Sequence, residues 1–127
     1  MTDDRSQIFP ATIREIDTTP LHDLLLMAGP ANAPSIIAAF LDDLKSTEFG
    51  LDPAWNGPDC AALRLHSHVL IALAGTVGDT DLHATAQQLN ALARDQDLVK
   101  ILAMKVQTMR GLAELIATLA SLTPSEE

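Results

Sequence analysis

The sequence predicts an all-α protein that folds as an antiparallel up-and-down four-helix bundle with a short extra N-terminal helix. The chain is 47% hydrophobic but only 3% aromatic, with no Tyr, and Leu and Ala dominate its apolar content. Sheets are built largely from β-branched and aromatic residues, whereas Leu and Ala are strong helix formers. The chain also contains four substantial stretches with apolar residues at helical spacing. Short turns join most of these stretches, which is the pattern of a helical bundle.

The N-terminal half predicts two helices followed by a long loop. A short helix is expected over residues 21–28, where a Gly-Pro pair ends it. A second helix opens at Pro34 and should stop near Thr47. The segment EFGLDPAWNGPD comes next and holds two Pro, two Gly and an Asn. These residues predict the longest loop of the domain, with Trp55 capping one end of the core.

The C-terminal half predicts three further helices with short connections. A long helix is expected over residues 58–77, and the glycine after it suits a helix exit. The next helix should cover residues 81–94, with Asp79 or Thr80 as its N-terminal cap. The last should run over residues 98–121 along one apolar stripe.

The length fits one hydrophobic core, flanked by two short segments of other character. We expect an N-terminal arm at residues 1–17, a helical domain at residues 18–122 and a C-terminal tail at residues 123–127. A single cysteine, Cys60, excludes an intrachain disulfide and is interpreted as a small buried apolar residue.

The acidic balance of the chain limits its partners. Eight Lys and Arg against seventeen Asp and Glu give a net charge of −9, which repels phosphate backbones and anionic lipid headgroups. The opening residues MTDDRSQIFP lack the basic and apolar regions of a signal peptide. No apolar run reaches the roughly 18 residues of a membrane span. We therefore expect a soluble, cytoplasmic protein that binds neither nucleic acid nor membrane.

The segment LHSHVLIALAGTVGD places two histidines two positions apart in an apolar stretch. On a strand, His66 and His68 would share a face and could ligate one metal ion, but the segment has no polar and apolar alternation. On a helix the two side chains point about 200° apart, so only one can face solvent. The side opposite His68 is apolar and includes His66. The phase therefore predicts a partly or wholly buried His66 that is hydrogen-bonded or neutral, and an exposed His68.

The face around His68 has the character of a docking surface. Its small residues cannot cover an imidazole, and its larger apolar residues leave the exposed surface typical of a binding site. The alternative is that the N-terminal segment packs on this face, which would make His68 an ordinary half-buried residue. The residues of this face are Ala61, Arg64, Leu65, Ile71, Ala72 and Gly75.

Other constellations predict no metal or cofactor site. No two histidines have the i, i+4 spacing of a helical metal site. The glycines Gly75 and Gly78 are too close for a dinucleotide fingerprint, and there is no phosphate-binding loop motif. Ser67 is only a sequence neighbour of the histidines, because adjacent helical positions point about 100° apart.

The segment HVLIALAGTVG, which begins at His68, and the apolar spacing of the helix after it resemble the histidine phosphotransfer (HPt) domains of bacterial phosphorelays. Their motif is approximately H-x-L-K-G-x-[AS]-x-x-[LV]-G. The upstream helices also resemble that family, so the likeness covers the chain from about residue 21 to 119. The register selects His68, because aligning His66 displaces both Leu70 and Gly78.

The resemblance implies a function. In that family an exposed, neutral imidazole takes a phosphoryl group from an aspartate of one receiver domain and gives it to an aspartate of another. His68 would be that acceptor, between the receiver domains of a hybrid histidine kinase and of a response regulator. The protein would be a phosphotransfer intermediate rather than a stand-alone enzyme. We expect it to be a monomer without cofactor or metal, since the receiver supplies the divalent ion.

Two positions depart from the family pattern. Ile71 stands where a Lys is usual, and Ala72 stands where a Gly is usual. Arg64, one turn away, is a candidate replacement for the missing cation, although helical side chains lean towards the N-terminus, which predicts that it points away. Gln87 and Gln88 on the next helix are candidate hydrogen-bond partners of the phosphoryl group.

Ile71 motivates a second hypothesis of a different class. The chain would be a degenerate HPt-like bundle that binds a receiver or kinase domain without carrying phosphate. A third hypothesis, an unrelated enzyme with His66 or His68 as general base, has no assignable acid, nucleophile or oxyanion group.

Overall fold

The computed structural model describes residues 16–122, which form six α-helices and no strand. The all-α class is therefore confirmed. Residues 1–15 of the predicted arm and the whole predicted tail at 123–127 lie outside the described residues. In chain order the helices are α1 (Thr19–Ala28), α2 (Ala33–Ala54), α3 (Cys60–Val77), α4 (Thr80–Asp95), α5 (Leu98–Ala103) and α6 (Lys105–Ala120).

The helices pack around a core built mainly of leucine. α3 packs most extensively against α4 and also against α2, and α6 packs against α2 and α4. The short α1 lies against α2 and α3, and α5 contacts α4 and α6. Burying one such side chain stabilises the fold by about 1.5–3 kcal/mol. The large, almost fully buried side chains are those of Leu21, Leu44, Leu51, Trp55, Leu63, Leu70, Leu82, Leu89, Ile101, Leu112, Leu115 and Leu119.

Aspartates cap three of the helices. Asp59 before α3, Asp79 before α4 and Asp97 before α5 each accept a hydrogen bond from the backbone N–H three residues later, at 3.1 to 3.2 Å. Such a cap satisfies an N–H group that has no partner within the helix. The cap at Asp59 explains why α3 begins at Cys60, two residues later than predicted.

α2 is longer than the sequence predicted, because it continues to Ala54 through most of the segment expected to be a loop. Leu51 and Ala54 extend its buried stripe, and Trp55, which follows directly, belongs to the core as expected. This burial outweighs the local helix-breaking residues, and Pro53 sits in the last turn. The predicted long loop was wrong: residues 55–59 alone connect α2 to α3.

The last predicted helix is interrupted. Met104 separates α5 from α6, and its backbone N–H donates to the carbonyl oxygen of Ile101 at 3.0 Å. This i to i+3 bond tightens the chain locally. The side chains of Ile101 and Met104 are both buried. The prediction of one continuous helix was therefore wrong at this point, although the apolar stripe continues.

A glycine at the end of α3 lets the segment before α1 cross it. Gly78 has φ +91°, in the left-handed region, and a Cβ there would lie 2.5 Å from the carbonyl oxygen of Asp17 and 2.9 Å from Cγ of Pro20. Both the backbone conformation and the space therefore require glycine. Asp17 is itself held by a hydrogen bond from the N–H of Thr19 at 3.0 Å, which keeps the pKa of that carboxyl below its ordinary value.

By length and composition alone, α3 is the one helix in residues 16–122 that could span a membrane, with a mean hydropathy of 1.4 over 18 residues. The window is not an uninterrupted apolar run, since it contains Arg64, His66 and His68. The core helices of soluble proteins pass the same test. In this protein 28% of the α3 window is buried, so much of its apolar content lies on the surface.

Candidate functional site

The two faces of α3 fall where the helical phase predicted. His68 is exposed, and the opposite face places Leu63, Leu70 and Ala74 in the core. His66 lies on that opposite face and is half-buried, within the predicted range. The assignment of His68 as the accessible histidine of this segment is therefore consistent with its surroundings.

The ring of His66 occupies the space beside Gly50 of α2. A Cβ at position 50 would overlap Cε1 and Nε2 of the His66 ring, and it would lie 2.9 Å from Nδ1. The ring of His66, expected to be hydrogen-bonded or neutral, packs against this helix backbone and has no hydrogen bond within residues 16–122. The absence of a side chain at Gly50 leaves the space that the His66 ring fills, which explains why a glycine is tolerated inside α2.

Apolar side chains surround His68 on the exposed face of α3. Leu65 is 60% exposed and Val69 is 37% exposed, and the small Ala61 and Ala72 are also open to solvent. The alternative in which the N-terminal segment covers this face has no support from the described part of that segment. Residues 16–20 approach the far end of α3, at the glycine after Val77.

His68 opens onto a groove of about 510 Å³ between α3 and α4. Arg64, the candidate replacement for the missing cation, lines this groove together with His68. The candidates Gln87 and Gln88 are exposed on α4, but neither is among the lining residues. Two residues that the sequence analysis did not single out take their place. The complete lining is Ala61, Arg64, Leu65, His68, Asn90 and Arg94.

Asn90, which lines the groove, joins α4 to α3 through hydrogen bonds. Its Nδ2 donates to the carbonyl oxygen of Arg64 and to Oγ of Ser67, each at 3.1 Å. The Ser67 hydroxyl is fully buried and donates to the same Arg64 carbonyl at 3.2 Å. Ser67 is thus a structural residue, and the turn of α3 that carries His68 is held against α4.

The face differs from expectation at Ile71 and Gly75. Ile71 is half-buried and packs against the core, so only part of its side chain faces solvent. Nδ1 of His83 lies 2.9 Å from the Ile71 carbonyl oxygen, which adds a second tie between α3 and α4. The same ring lies 3.1 Å from where a Cβ at Gly75 would stand. Gly75 therefore makes room for His83, and Ala72 is the less constrained neighbour of His68.

Two of the six described Lys and Arg residues line this groove, although the chain is acidic. Neither Arg64 nor Arg94 has an ion-pair partner within residues 16–122. An ion pair found in that range joins Lys100 to Asp97 at 3.9 Å. No carboxylate lines the groove. Guanidinium groups with free N–H donors are well suited to bind phosphate or carboxylate oxygens. The described Lys and Arg residues are Lys45, Arg64, Arg94, Lys100, Lys105 and Arg110.

Residues 16–122 contain no cluster of three or more His, Cys, Asp or Glu side chains that could hold a metal ion. Comparison of the chain with protein-family models, with curated proteins and with solved structures finds no match. A functional assignment must therefore come from the chemistry of the groove and its surroundings.

Proposed function

We propose that this chain is a histidine phosphotransfer protein, in which His68 accepts and passes on a phosphoryl group. The observation that carries the proposal is an exposed imidazole in a groove that is also lined by two arginines without ion-pair partners and is bordered by exposed leucine and valine. A phosphoryl carrier needs an accessible nucleophile, positive charge near the phosphoryl oxygens and an apolar surface for its partner.

The proposal includes an arrangement of the helices. α2, α3, α4 and α6 would form an antiparallel up-and-down four-helix bundle, with α1 as the short extra helix. In support, these four helices contact one another in a closed ring. The pairs Ile71–His83 and Arg64–Asn90 mark an antiparallel register between α3 and α4. In such a bundle the outer face of α3 is free for a partner.

The proposed transfer balances without a redox partner. A lone pair on a neutral imidazole nitrogen of His68 attacks the phosphorus of an aspartyl phosphate on a receiver domain. The P–O bond to that aspartate breaks, its electrons leave with the carboxylate, and the imidazole releases one proton to solvent. In the second transfer a carboxylate of another receiver attacks the phosphorus, the P–N bond breaks and the imidazole regains a proton.

The partners in this proposal are receiver domains of a hybrid histidine kinase and of a response regulator, and the chain would act as a cytoplasmic monomer. The divalent ion belongs to the receiver. The net charge of −9 supports protein partners over nucleic acid or anionic membrane. The chain would serve as an intermediate that is regenerated after each pair of transfers.

The test uses the full chain and a panel of receiver domains phosphorylated with acetyl phosphate and Mg²⁺. Acid-labile phosphate should appear on the chain and map to the peptide containing His68. His68→Gln should abolish it, whereas His22→Gln, at an exposed histidine of α1, should not. Absence of transfer from every receiver, or equal labelling of the His68→Gln chain, would overturn the proposal.

A second candidate function is supported by Ile71, an apolar residue where a cation would aid transfer. The chain would then bind a receiver or kinase domain through the apolar face of α3 without carrying phosphate. Measurable receiver binding that is lost in Leu65→Ala, together with no acid-labile phosphate on the wild-type chain, would select this candidate over the first.

A further inference from the structure

We infer that Arg94 and Arg64 form the phosphoryl-binding subsite of His68, with Arg94 supplying from α4 the positive charge that Ile71 lacks on α3. This inference rests on the proposed function and adds to it the residues that hold the phosphoryl oxygens. The sequence offered no route to Arg94, because it lies 26 positions after His68. The groove that both residues line brings them together.

The register between α3 and α4 accounts for this convergence. Arg64 precedes His68 by four residues on α3, and Arg94 follows Asn90 by four residues on α4. Residues four apart share a helix face. The hydrogen bonds from Asn90 to Ser67 and to the Arg64 carbonyl join these two faces at one level. The two pairs, Arg64 with His68 and Asn90 with Arg94, therefore line the same groove.

The chemistry of the groove favours a phosphoryl group over a neutral ligand. The Nδ2 group of Asn90 is already engaged by two acceptors at 3.1 Å. The principal free donors in the lining are therefore the two guanidinium groups. Phosphorylation adds two negative charges to an imidazole that carried none. Preorganised cations stabilise such developing charge without solvent reorganisation.

Placement on α4 also explains how the site tolerates Ile71. The half-buried Ile71 contributes to the core and to the apolar face, while the charge comes from the neighbouring helix. The site would thus separate docking from charge stabilisation, with α3 providing apolar contact and α4 providing Arg94.

The test uses phosphoramidate, which phosphorylates histidine without any receiver domain. An imidazole nitrogen attacks the phosphorus, the P–N bond of phosphoramidate breaks, and the imidazole proton leaves with ammonia as ammonium. The rate of labelling at His68 is followed by mass spectrometry of its peptide for the wild type, Arg94→Met and Arg64→Met. Arg110→Met is the matched control, since it removes the same charge from a different groove on α6.

We expect labelling of His68 to fall about threefold to tenfold in Arg94→Met, with a smaller fall in Arg64→Met, as expected for loss of one nearby charge at a partly solvated site. Arg94→Lys should retain most of the rate. Ile71→Lys should restore the rate in the Arg94→Met background and raise it less in the wild type. Restoration would show that the two positions supply the same charge.

Equal rates for wild type, Arg94→Met and Arg64→Met would overturn the inference. An equal fall in Arg110→Met would also overturn it, because the effect would then reflect net charge rather than a subsite. The readout involves no receiver domain, so failure here leaves the receiver-transfer test unaffected. Conversely, absence of transfer from receivers would reject the proposed function while the phosphoramidate rates still report on the arginines.

Discussion

The two histidines of α3 occupy opposite faces of the same helix and have opposite surroundings. His66 packs against the backbone of α2 at Gly50, where no side chain could fit. His68 faces an open groove lined by two arginines and an asparagine. Both are imidazoles in the same apolar segment, so their difference comes entirely from helical phase and from the neighbouring helices. The residues that a neighbouring helix places beside each histidine therefore determine what that histidine can contact or bind.

The largest expected difference between the two faces of α3 is in their contribution to stability. Replacing one leucine by alanine on each face measures this difference. Leu70→Ala should lower the free energy of unfolding by about 3 kcal/mol, because it removes a fully buried side chain from the core. Leu65→Ala should change it by less than about 0.5 kcal/mol, since Leu65 is 60% exposed. Chemical denaturation of both variants checks this, and similar losses would contradict the assignment of the faces.

The contact of His66 with Gly50 should produce the next largest effect. Gly50→Leu should lower the free energy of unfolding by about 2 kcal/mol, because the new side chain must displace the imidazole. Adding His66→Ala should recover a substantial part of this loss, since the space beside position 50 is then empty. The four variants form a double-mutant cycle. Purely additive losses would show that the two residues do not interact.

The tie between α3 and α4 should contribute less. Asn90→Ala removes two hydrogen bonds to Arg64 and Ser67. It leaves the buried Ser67 hydroxyl without its donor, and the free energy of unfolding should fall by about 1–2 kcal/mol. Gln88→Ala, at an exposed position of the same helix, is the control and should be nearly neutral. A neutral Asn90→Ala would mean that the groove does not depend on this tie.

The smallest effect on stability is expected at Ala72, next to His68. Ala72→Arg should leave the melting temperature nearly unchanged but weaken receiver binding by about tenfold or more, because a bulky side chain opens a gap in the centre of an interface. Gly75→Glu is not an equivalent change, since the new side chain would press on His83. Binding measured by titration calorimetry should fall without loss of folding. A parallel loss of both would indicate a buried face.

The sequence predicted the class of the fold and the phase of α3 because both depend on local periodicity. The starts of α3 and α4 could also be approached from sequence, since an aspartate cap acts through nearby backbone groups. The end of α2 could not. Gly50 and Pro53 act locally against a helix, and only the burial of Leu51 and Trp55 in the assembled core reverses their effect.

The residues of the candidate site also differ in whether the sequence alone could identify them. His68 was found from the sequence because exposure follows helical phase. Arg94 and Asn90 were not, because their position beside His68 depends on the register in which α4 packs on α3. Gln87 and Gln88 were chosen because their side chains can donate hydrogen bonds, and their positions in the sequence do not indicate that register.

The contact between Gly50 and His66 also has a magnetic consequence. The glycine Hα protons lie close to an aromatic imidazole, whose ring current shields protons above its plane and deshields those at its edge. The two Hα resonances of Gly50 should therefore be displaced and separated from each other. They provide a native probe of how α2 sits on α3, on the side of the helix remote from His68. Following their chemical shifts during partner binding would reveal whether events in the groove are transmitted through α3 to its opposite face.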